Sequence, residues 1–205
     1  MVTQLASKSV TFEEFIDWYP NNGTSYELHN GGIIEMPPPS GDHEKVVGFI
    51  ARKLTVEFDR LNLPYTIPKT VFVKPEGANS AYSPDVLLLN LDNLNNEPFW
   101  KQASTVTQAK SIQLAVEVVS NNWRDDYYKK LADYEEMGIG EYWIVDYAAL
   151  GGKKFLGNPK QPTIFVCELV NGEYRMNSFQ GPRRIISPNF PQLNLTAQQV
   201  FETAQ

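Results

Sequence analysis

The sequence predicts an α/β (α+β) fold in which a mixed β-sheet is flanked by helices. An apolar run over 112–119 predicts a strand, a polar helical pattern follows over 123–137, and a second strand follows over 141–146. Because a strand–helix–strand unit usually places its two strands parallel through a right-handed crossover, this segment predicts a parallel pair within the sheet. The turn sequences Asn30-Gly31-Gly32 and Asn171-Gly172 predict antiparallel hairpins before and after it.

The N-terminal part predicts a short helix, a hairpin and a long helix. Thr11 is expected to cap a helix over 11–18, with Glu14 in the capping-box position. Hairpin strands are expected over 25–29 and 33–36. Apolar residues then recur at helical spacing over 43–61, which predicts an amphipathic helix capped by Asp42 that covers one face of the sheet.

The remaining elements follow from turn residues and apolar runs. Strands are expected over 65–73 and 85–89, and the polar segment 90–110 predicts a loop with little regular structure. Near the C-terminus we expect strands over 163–170 and 174–179 and a small helix over 197–203. The sequence shows no internal repeat, heptad pattern or linker, so we expect a single domain over 1–205.

Composition restricts the function classes. A chain of 205 residues with one cysteine, Cys167, can form no internal disulfide, and no apolar run approaches the roughly 20 residues that a membrane span requires. We therefore expect a cytoplasmic protein with no membrane partner. The net charge of -6 argues against binding nucleic acid through overall electrostatics. A local basic patch could still form from Lys153, Lys154, Lys160, Arg183 and Arg184.

Two isolated carboxylates lie in or beside apolar strands. Glu117 lies within the run 112–119, and Asp85 precedes Val86-Leu87-Leu88-Leu89. Burying an ionised carboxylate is costly unless a cation or strong donors meet it. Alternation along the strand places Glu117 on the same face as Ala115 and Val119. Two such acids suggest a divalent metal, and hard oxygen ligands with an incomplete protein shell favour Mg²⁺ or Mn²⁺.

The helix after the Glu117 strand carries a polar stripe. Asp126, Lys130 and Tyr134 recur every fourth residue, so they lie on one side and could project toward the carboxyl end of the strand. Hydrolysis of a phosphodiester needs a bound cation, a positioned water and stabilisation of negative charge. Asp85 and Glu117 suit the binding of the cation, and Lys130 could orient the water or stabilise the negative charge. Glu27 is an extra acid that could act on the metal through a water.

A set of spaced residues carries a family resemblance: Tyr26-Glu27-Leu28, Ile34-Glu35-Met36, His43, Pro84-Asp85, Glu117-Val118-Val119-Ser120, Asp126, Lys130, Tyr134, Gly138 and 141–146. This set resembles the Uma2 family of endonuclease-like proteins, formerly a domain of unknown function. The resemblance covers roughly residues 12–146. It implies a restriction-endonuclease-like core of the PD-(D/E)xK superfamily, with Mg²⁺-dependent cleavage of DNA by Asp85, Glu117 and a lysine, supported by Asp126 and Glu27.

One residue departs from the superfamily pattern. The superfamily pattern has a lysine two residues after the second acid, and this position is occupied by Val119 here. The family pattern offers Lys130, on the adjacent helix, as the replacement. Because one such site cuts one strand, a double-strand cutter of this size is expected to act as a homodimer. Two alternatives stay open: a catalytically idle dimeric or DNA-binding relative, and a phosphodiesterase acting on RNA or small nucleotides.

Simpler structural interpretations accompany the individual residues. Asp126 and Lys130 alone could be an exposed helix pair, and Glu117 alone could be a buried acid satisfied by backbone donors or an arginine. His43 is expected to hydrogen-bond the first turn of its helix rather than to serve as a base. His29 is expected at the surface, and Tyr134 is expected to pack in the core.

Overall fold

A computed structural model describes residues 3–4 and 9–204 of the chain. Its strands are β1 (Thr3–Gln4), β2 (Ser25–His29), β3 (Gly32–Met36), β4 (Tyr65–Thr66), β5 (Phe72–Val73), β6 (Val86–Asn90), β7 (Thr105–Val106), β8 (Ile112–Val118), β9 (Glu141–Asp146), β10 (Thr163–Val170) and β11 (Glu173–Phe179). Its α-helices are α1 (Phe12–Trp18), α2 (Gly41–Arg60), α3 (Leu91–Leu94), α4 (Trp100–Ala103), α5 (Lys130–Met137), α6 (Lys153–Leu156) and α7 (Ala197–Phe201). Short 3-10 helices cover Ala109–Ser111 and Glu202–Ala204.

The central sheet is mixed, as the sequence predicts. Its six strands run in the order β11-β10-β9-β8-β6-β4. Only the β8–β9 pair of this sheet is parallel, which confirms the crossover predicted over 112–146, whereas every other neighbouring pair is antiparallel. Both predicted hairpins are present, and Asn171 and Gly172 turn the second with positive φ at both positions.

Two hydrophobic clusters cover the two faces of this sheet. Val116 and Val118 of β8 point into the first cluster, against Val46, Ile50 and Leu54 of α2. Ala115 and Val119 lie in the second cluster, with Tyr134 of α5. Strand alternation therefore points the side chain of Glu117 toward α5 and away from α2.

The N-terminal region forms a second unit against the main sheet. β1, β3 and β2 make a three-stranded sheet, and Leu28 bridges to Ala81 just ahead of β6. Thr11 caps α1 through a complete capping box with Glu14, as predicted. The bridge to Ala81 carries β2, with its Glu27, to the end of the main sheet where β6 begins.

Several predicted boundaries are wrong. The strand predicted over 65–73 is two short strands in different sheets, β4 and β5, because Pro68 interrupts the run. The segment predicted as a loop over 90–110 contains α3, α4, β7 and a 3-10 helix. The buried Glu97 carboxylate holds this segment together. It accepts hydrogen bonds from the backbone N–H groups of Thr107 and Gln108 and from the hydroxyls of Thr107 and Ser111. Ser40, rather than Asp42, caps α2.

The helix after β8 begins with a π-helical turn, Asp125–Lys129, and continues as α5 to Gly138, which ends it with a φ of 87° as predicted. A π-turn inside a helix rotates the side chains that follow and often marks a functional site. This turn buries Asp126 and Tyr127 and leaves Tyr128 exposed. Among the helices that the structure describes, none combines the length and apolar character that crossing a membrane requires.

Candidate active site

The predicted site residues meet where β8 ends and β6 begins. Val86 pairs with Val116 across the antiparallel β6–β8 ladder, so one step further Asp85 falls opposite Glu117. The 2.7 Å hydrogen bond from the Val118 backbone N–H to Asp85 Oδ2 holds the Asp85 carboxylate beside the end of β8. Asp85 is the more open of the two acids, with 25% of its side chain exposed against 4% for Glu117.

His43 positions Asp85 from the other side of the sheet. Its Nε2 lies 3.0 Å from the carbonyl oxygen of Val118 and 3.4 Å from Asp85 Oδ2, and the ring is buried. Burial opposes protonation, but the hydrogen bond to Asp85 and its charge outweigh it and raise the His43 pKa to about 9. The His43 backbone N–H bonds to the Ser40 cap, and its Nδ1 lies 3.4 Å from Glu44 Oε1 in the first turn, where a contact is expected, while its Nε2 faces Val118 and Asp85.

Glu117 meets a cation from the following helix. The ammonium of Lys130 lies 3.0 Å from Glu117 Oε1, and the Tyr134 hydroxyl donates to the same oxygen at 3.0 Å. Val119, where the resemblance would place a lysine, packs in the hydrophobic core. The interpretation of Lys130 as part of an exposed pair is wrong, because its side chain is only 3% exposed.

Glu27 and Asp126 complete the surroundings of the ammonium. Lys130 Nζ donates to Glu27 Oε1 at 3.2 Å and lies 3.8 Å from Asp126 Oδ1. The π-turn and α5 place Asp126, Lys130 and Tyr134 on one side, as the spacing predicts. Three buried carboxylates therefore surround one lysine, and the helix stripe and the N-terminal hairpin both contribute to the site.

Glu27 is satisfied by its neighbours. It accepts a 2.9 Å bond from the Ser83 backbone N–H on Oε1, and His29 Nε2 lies 2.8 Å from Oε2. Burial raises its pKa, but the Lys130 charge and the His29 hydrogen bond outweigh burial and lower it to about 2. The expectation that His29 is a surface residue is wrong, because its side chain is only 11% exposed and braces this carboxylate.

Asp126 is nearly buried and lacks a strong partner. Among the described residues, no side chain or backbone group donates a hydrogen bond to its carboxylate, and its nearest cation is Lys130 at 3.8 Å. Burial raises its pKa to about 8 against the opposing effect of Lys130, and Asp85 and Glu27 add to the rise. Asp126 therefore faces the site with free acceptor capacity.

The cluster as a whole has more acids than cations. Burial lowers the Lys130 pKa, but the surrounding carboxylates outweigh burial and hold it well above its usual range, so Lys130 stays charged. Burial and the neighbouring acids raise the pKa of Glu117 despite Lys130. The raised pKa values mean that these acids hold protons in the metal-free protein, and a bound cation would displace the protons and stabilise the ionised carboxylates.

Two carboxylate oxygens are available for such a cation. Both contacts to Asp85 fall on Oδ2, and both contacts to Glu117 fall on Oε1, so within the described residues Asp85 Oδ1 and Glu117 Oε2 have no hydrogen-bond donor. No group of three or more His, Cys, Asp or Glu side chains in residues 3–4 and 9–204 is arranged to hold a metal. Mg²⁺ needs fewer protein ligands, because it keeps several waters and binds through one or two carboxylates and substrate phosphates.

The residues that support the acids of the site differ in how clearly the sequence indicates them. Tyr134 packs in the core, as expected, and its hydroxyl also donates to Glu117. Its position four residues after Lys130 is the sequence signal for that second contact. His43 carries no comparable signal, because Asp85 and Val118 are distant in sequence. Glu27 and His29 lie two residues apart on β2, and this spacing places them on one face of the strand. Only the packing of α2 on the sheet brings His43 to the end of β8.

Comparisons with known proteins identify the family and the fold. A family model described as "Uma2: Putative restriction endonuclease" matches residues 12–198. The solved structures that match include the crystal structure of "a putative nuclease belonging to DUF820" from Anabaena variabilis ATCC 29413, with a TM-score of 0.73 and 16% identity, covering 96% of this chain and 99% of that chain. At this identity the likeness shows the fold. No curated protein matches this chain significantly.

Proposed function

Since the chain belongs to the Uma2 family of restriction-endonuclease-like proteins, we propose that it is a metal-dependent DNA endonuclease that hydrolyses phosphodiester bonds. The observation that carries the proposal is the buried Lys130 ammonium, 3.0 Å from a Glu117 carboxylate that falls opposite Asp85 across the ladder. This arrangement supplies the acids and the cation that the chemistry needs.

Asp85 and Glu117 would hold the metal, Mg²⁺ or Mn²⁺, through Oδ1 and Oε2. When bound there, the ion would supply Lewis-acid polarisation of the scissile phosphate and a lowered pKa for a water. His43 and the Val118 N–H keep Asp85 oriented by occupying Oδ2. Tyr134 does the same for Glu117 by donating to Oε1. Residues that fix ligand orientation in this way typically matter for metal affinity.

Lys130 would assist the attacking water and offset negative charge on the phosphate. Its ammonium has three donors, and the structure directs one at Glu27 and another toward Glu117. Because neighbouring carboxylates raise its pKa, Lys130 acts as a charged donor and not as a base. Glu27 and Asp126 support it, Glu27 as a fixed anchor and Asp126 as a carboxylate with a free acceptor for water or metal.

The test is nicking of supercoiled plasmid DNA with Mn²⁺. Asp85→Asn and Glu117→Gln keep side-chain size but remove the charge that holds the metal, so each should abolish nicking while thermal unfolding stays cooperative. Glu173→Gln, an exposed acid at the start of β11, is the matched control and should cut like the parent. Unchanged nicking in both site variants would refute the assignment.

The proposed homodimer is tested separately. A cutter of both strands needs two sites, and two copies related by a twofold axis would supply them. Sedimentation of the full chain, alone and with a duplex oligonucleotide in Ca²⁺, should show two copies on the duplex. A single copy that still cuts both strands would contradict this part of the proposal.

A second candidate is a catalytically idle relative of the same fold, either dimeric or DNA-binding. Two observations favour loss of cleavage: Val119 packs in the core at the position two residues after Glu117, and the net charge of -6 opposes binding of a nucleic-acid substrate through overall electrostatics. Calorimetric titration separates the two: the enzyme should bind Mn²⁺ and lose this binding in Glu117→Gln, whereas the idle relative should show no heat. Parallel assays on DNA, RNA and dinucleotides distinguish the DNA endonuclease from a phosphodiesterase acting on RNA or small nucleotides.

A further inference from the structure

We propose that a surface next to this site binds an unpaired strand of nucleic acid alongside the scissile phosphate. The surface, here named the aromatic–cationic face, consists of Trp123, Arg124, Tyr128, Lys154 and Phe155. The inference rests on the proposed nuclease function and narrows the substrate to nucleic acid with unpaired bases near the cut.

The rings of this face are grouped and reach solvent. The Tyr128 ring centroid lies 6.2 Å from that of Trp123 and 5.6 Å from that of Phe155. Tyr128 is 43% exposed, and Trp123 and Phe155 are half-buried. An unpaired base can stack on such rings because every base has a π-face, whereas a duplex keeps its base faces covered. The ring arrangement therefore favours an unpaired strand.

Cations lie directly over the rings. The Arg124 guanidinium carbon is 4.7 Å from the Trp123 centroid, and Lys154 Nζ is 4.4 Å from the Tyr128 centroid and 4.6 Å from that of Phe155. The segment 147–167 contains three lysines and no acidic residue, in a chain with a net charge of -6. A locally positive face with stacking rings complements a phosphate backbone that carries splayed bases.

A buried carboxylate holds the two halves of the face together. Asp146 Oδ2 accepts bonds from the Tyr127 hydroxyl at 2.9 Å and from the Gly151 N–H at 2.8 Å, which ties the π-turn to the loop carrying Lys154. A Cβ added at Gly151 would lie 2.8 Å from Asp146 Oδ2 and 3.0 Å from the Tyr127 ring, so the close approach needs glycine. The face is thus pre-organised before any strand binds.

The π-turn connects this face to the site. Asp126 points inward to the ammonium of Lys130, while Tyr128, two residues later in the same turn, points to solvent. Because β8 and β9 run parallel, the loop after β9 that carries Lys154 leaves the sheet at the same edge as the end of β8, next to Glu117. A strand whose phosphate is held near Asp85 and Glu117 would continue along this edge toward the aromatic–cationic face. The exposed rings could instead contact a second copy of the chain. A loss of self-association in Tyr128→Leu would reveal that contact.

The experiment measures binding of a fluorescent single-stranded DNA oligonucleotide by anisotropy in EDTA, using the full chain. Tyr128→Leu should weaken binding about tenfold, and Tyr128→Phe should restore it because the ring is kept. Lys154→Ala should reduce the slope of log K against log salt by about 0.7, the value for one phosphate contact on a single strand. The matched control is Lys53→Ala, which also has its ammonium over a ring, Phe49, but lies on α2 at the opposite face of the sheet. It should leave the affinity and the slope near those of the parent.

The outcomes separate this inference from the proposed function. Unchanged single-strand affinity in Tyr128→Leu would overturn the inference, even if Asp85→Asn abolishes nicking. A loss of self-association in Tyr128→Leu, with nucleic-acid binding intact, would also overturn it and assign the face to a second copy. The two results can also differ. If Tyr128→Leu weakens single-strand binding, the aromatic–cationic face binds the strand as inferred. If Asp85→Asn still nicks plasmid DNA in the same series, the catalytic assignment is refuted.

Discussion

The Lys130 ammonium lies 3.0 Å from Oε1 of Glu117, so the helix after β8 supplies the cation that the strand itself lacks at Val119. Val119 itself packs in the core cluster between the sheet and α5. From α5, the same ammonium meets three carboxylates at once.

Lys130→Met should destabilise the fold strongly, because it leaves Glu27, Glu117 and Asp126 buried together without their cation. We expect a loss of about 3 kcal/mol in the free energy of unfolding, measured by urea denaturation at neutral pH. Lys129→Met removes the neighbouring lysine, whose partly exposed ammonium bonds to Asn30, and should cost less than about 1 kcal/mol. Equal losses in the two variants would contradict a cluster held by Lys130.

Asp126→Asn should stabilise the metal-free protein, increasingly so as pH rises. The folded pKa of about 8 lies above the ordinary 3.8, so between these values folding takes up a proton, and the stability of the parent falls with rising pH. The asparagine variant cannot titrate at this position, so its free energy of unfolding does not fall in this way. The difference in free energy of unfolding between the variant and the parent should grow by at most about 1.4 kcal/mol per pH unit and level off above pH 8.

This pH series is measured by urea unfolding in EDTA, with Asp92→Asn, an exposed acid, as the control for removal of one charge. If the advantage of Asp126→Asn does not change between pH 5 and pH 8, then Asp126 is not a buried, proton-holding acid in the metal-free protein.

Tyr134→Phe should lower activity without unfolding the protein. It removes the hydroxyl that donates to Glu117 Oε1, so the carboxylate loses one of its two orienting contacts. We expect about a tenfold loss in nicking rate and roughly 1 to 2 kcal/mol in stability. Tyr174→Phe, which removes a hydroxyl bonded to the Ile139 carbonyl, should show a stability loss of similar origin and no loss of nicking. Parallel losses of activity would mean that Tyr134 acts only through stability.

His43→Ala should weaken metal binding while leaving Asp85 itself intact. Without the imidazole, Asp85 Oδ2 keeps only the Val118 N–H, and the carboxylate can turn away from Glu117. We expect Mn²⁺ affinity to fall about tenfold or more in calorimetry, as for other residues that orient ligands. His43→Gln can still donate from its amide and should recover part of the affinity. Identical affinities in the parent and both variants would remove His43 from the site.

The sequence by itself determined most of the secondary structure around the candidate site and indicated the acids that meet there. The apolar run 112–119 with one carboxylate, the four-residue spacing of Asp126, Lys130 and Tyr134, and the glycine at 138 are local patterns, and local patterns report on strands and helices. The family resemblance carried by these residues agreed with the family match over 12–198. The same local reasoning failed over 65–73 and 90–110, where distant pairings and the Glu97 carboxylate decide the structure.

Only the tertiary structure decided which groups meet across long stretches of chain. His43 reaches Asp85 because α2 packs across the sheet, and Glu27 reaches Lys130 because the N-terminal hairpin bridges to Ala81. Periodicity specifies which face a side chain occupies, but it carries no information on which distant element covers that face. The burial of Lys130 among three acids follows from that packing, and so does the burial of Tyr127, the residue before Tyr128.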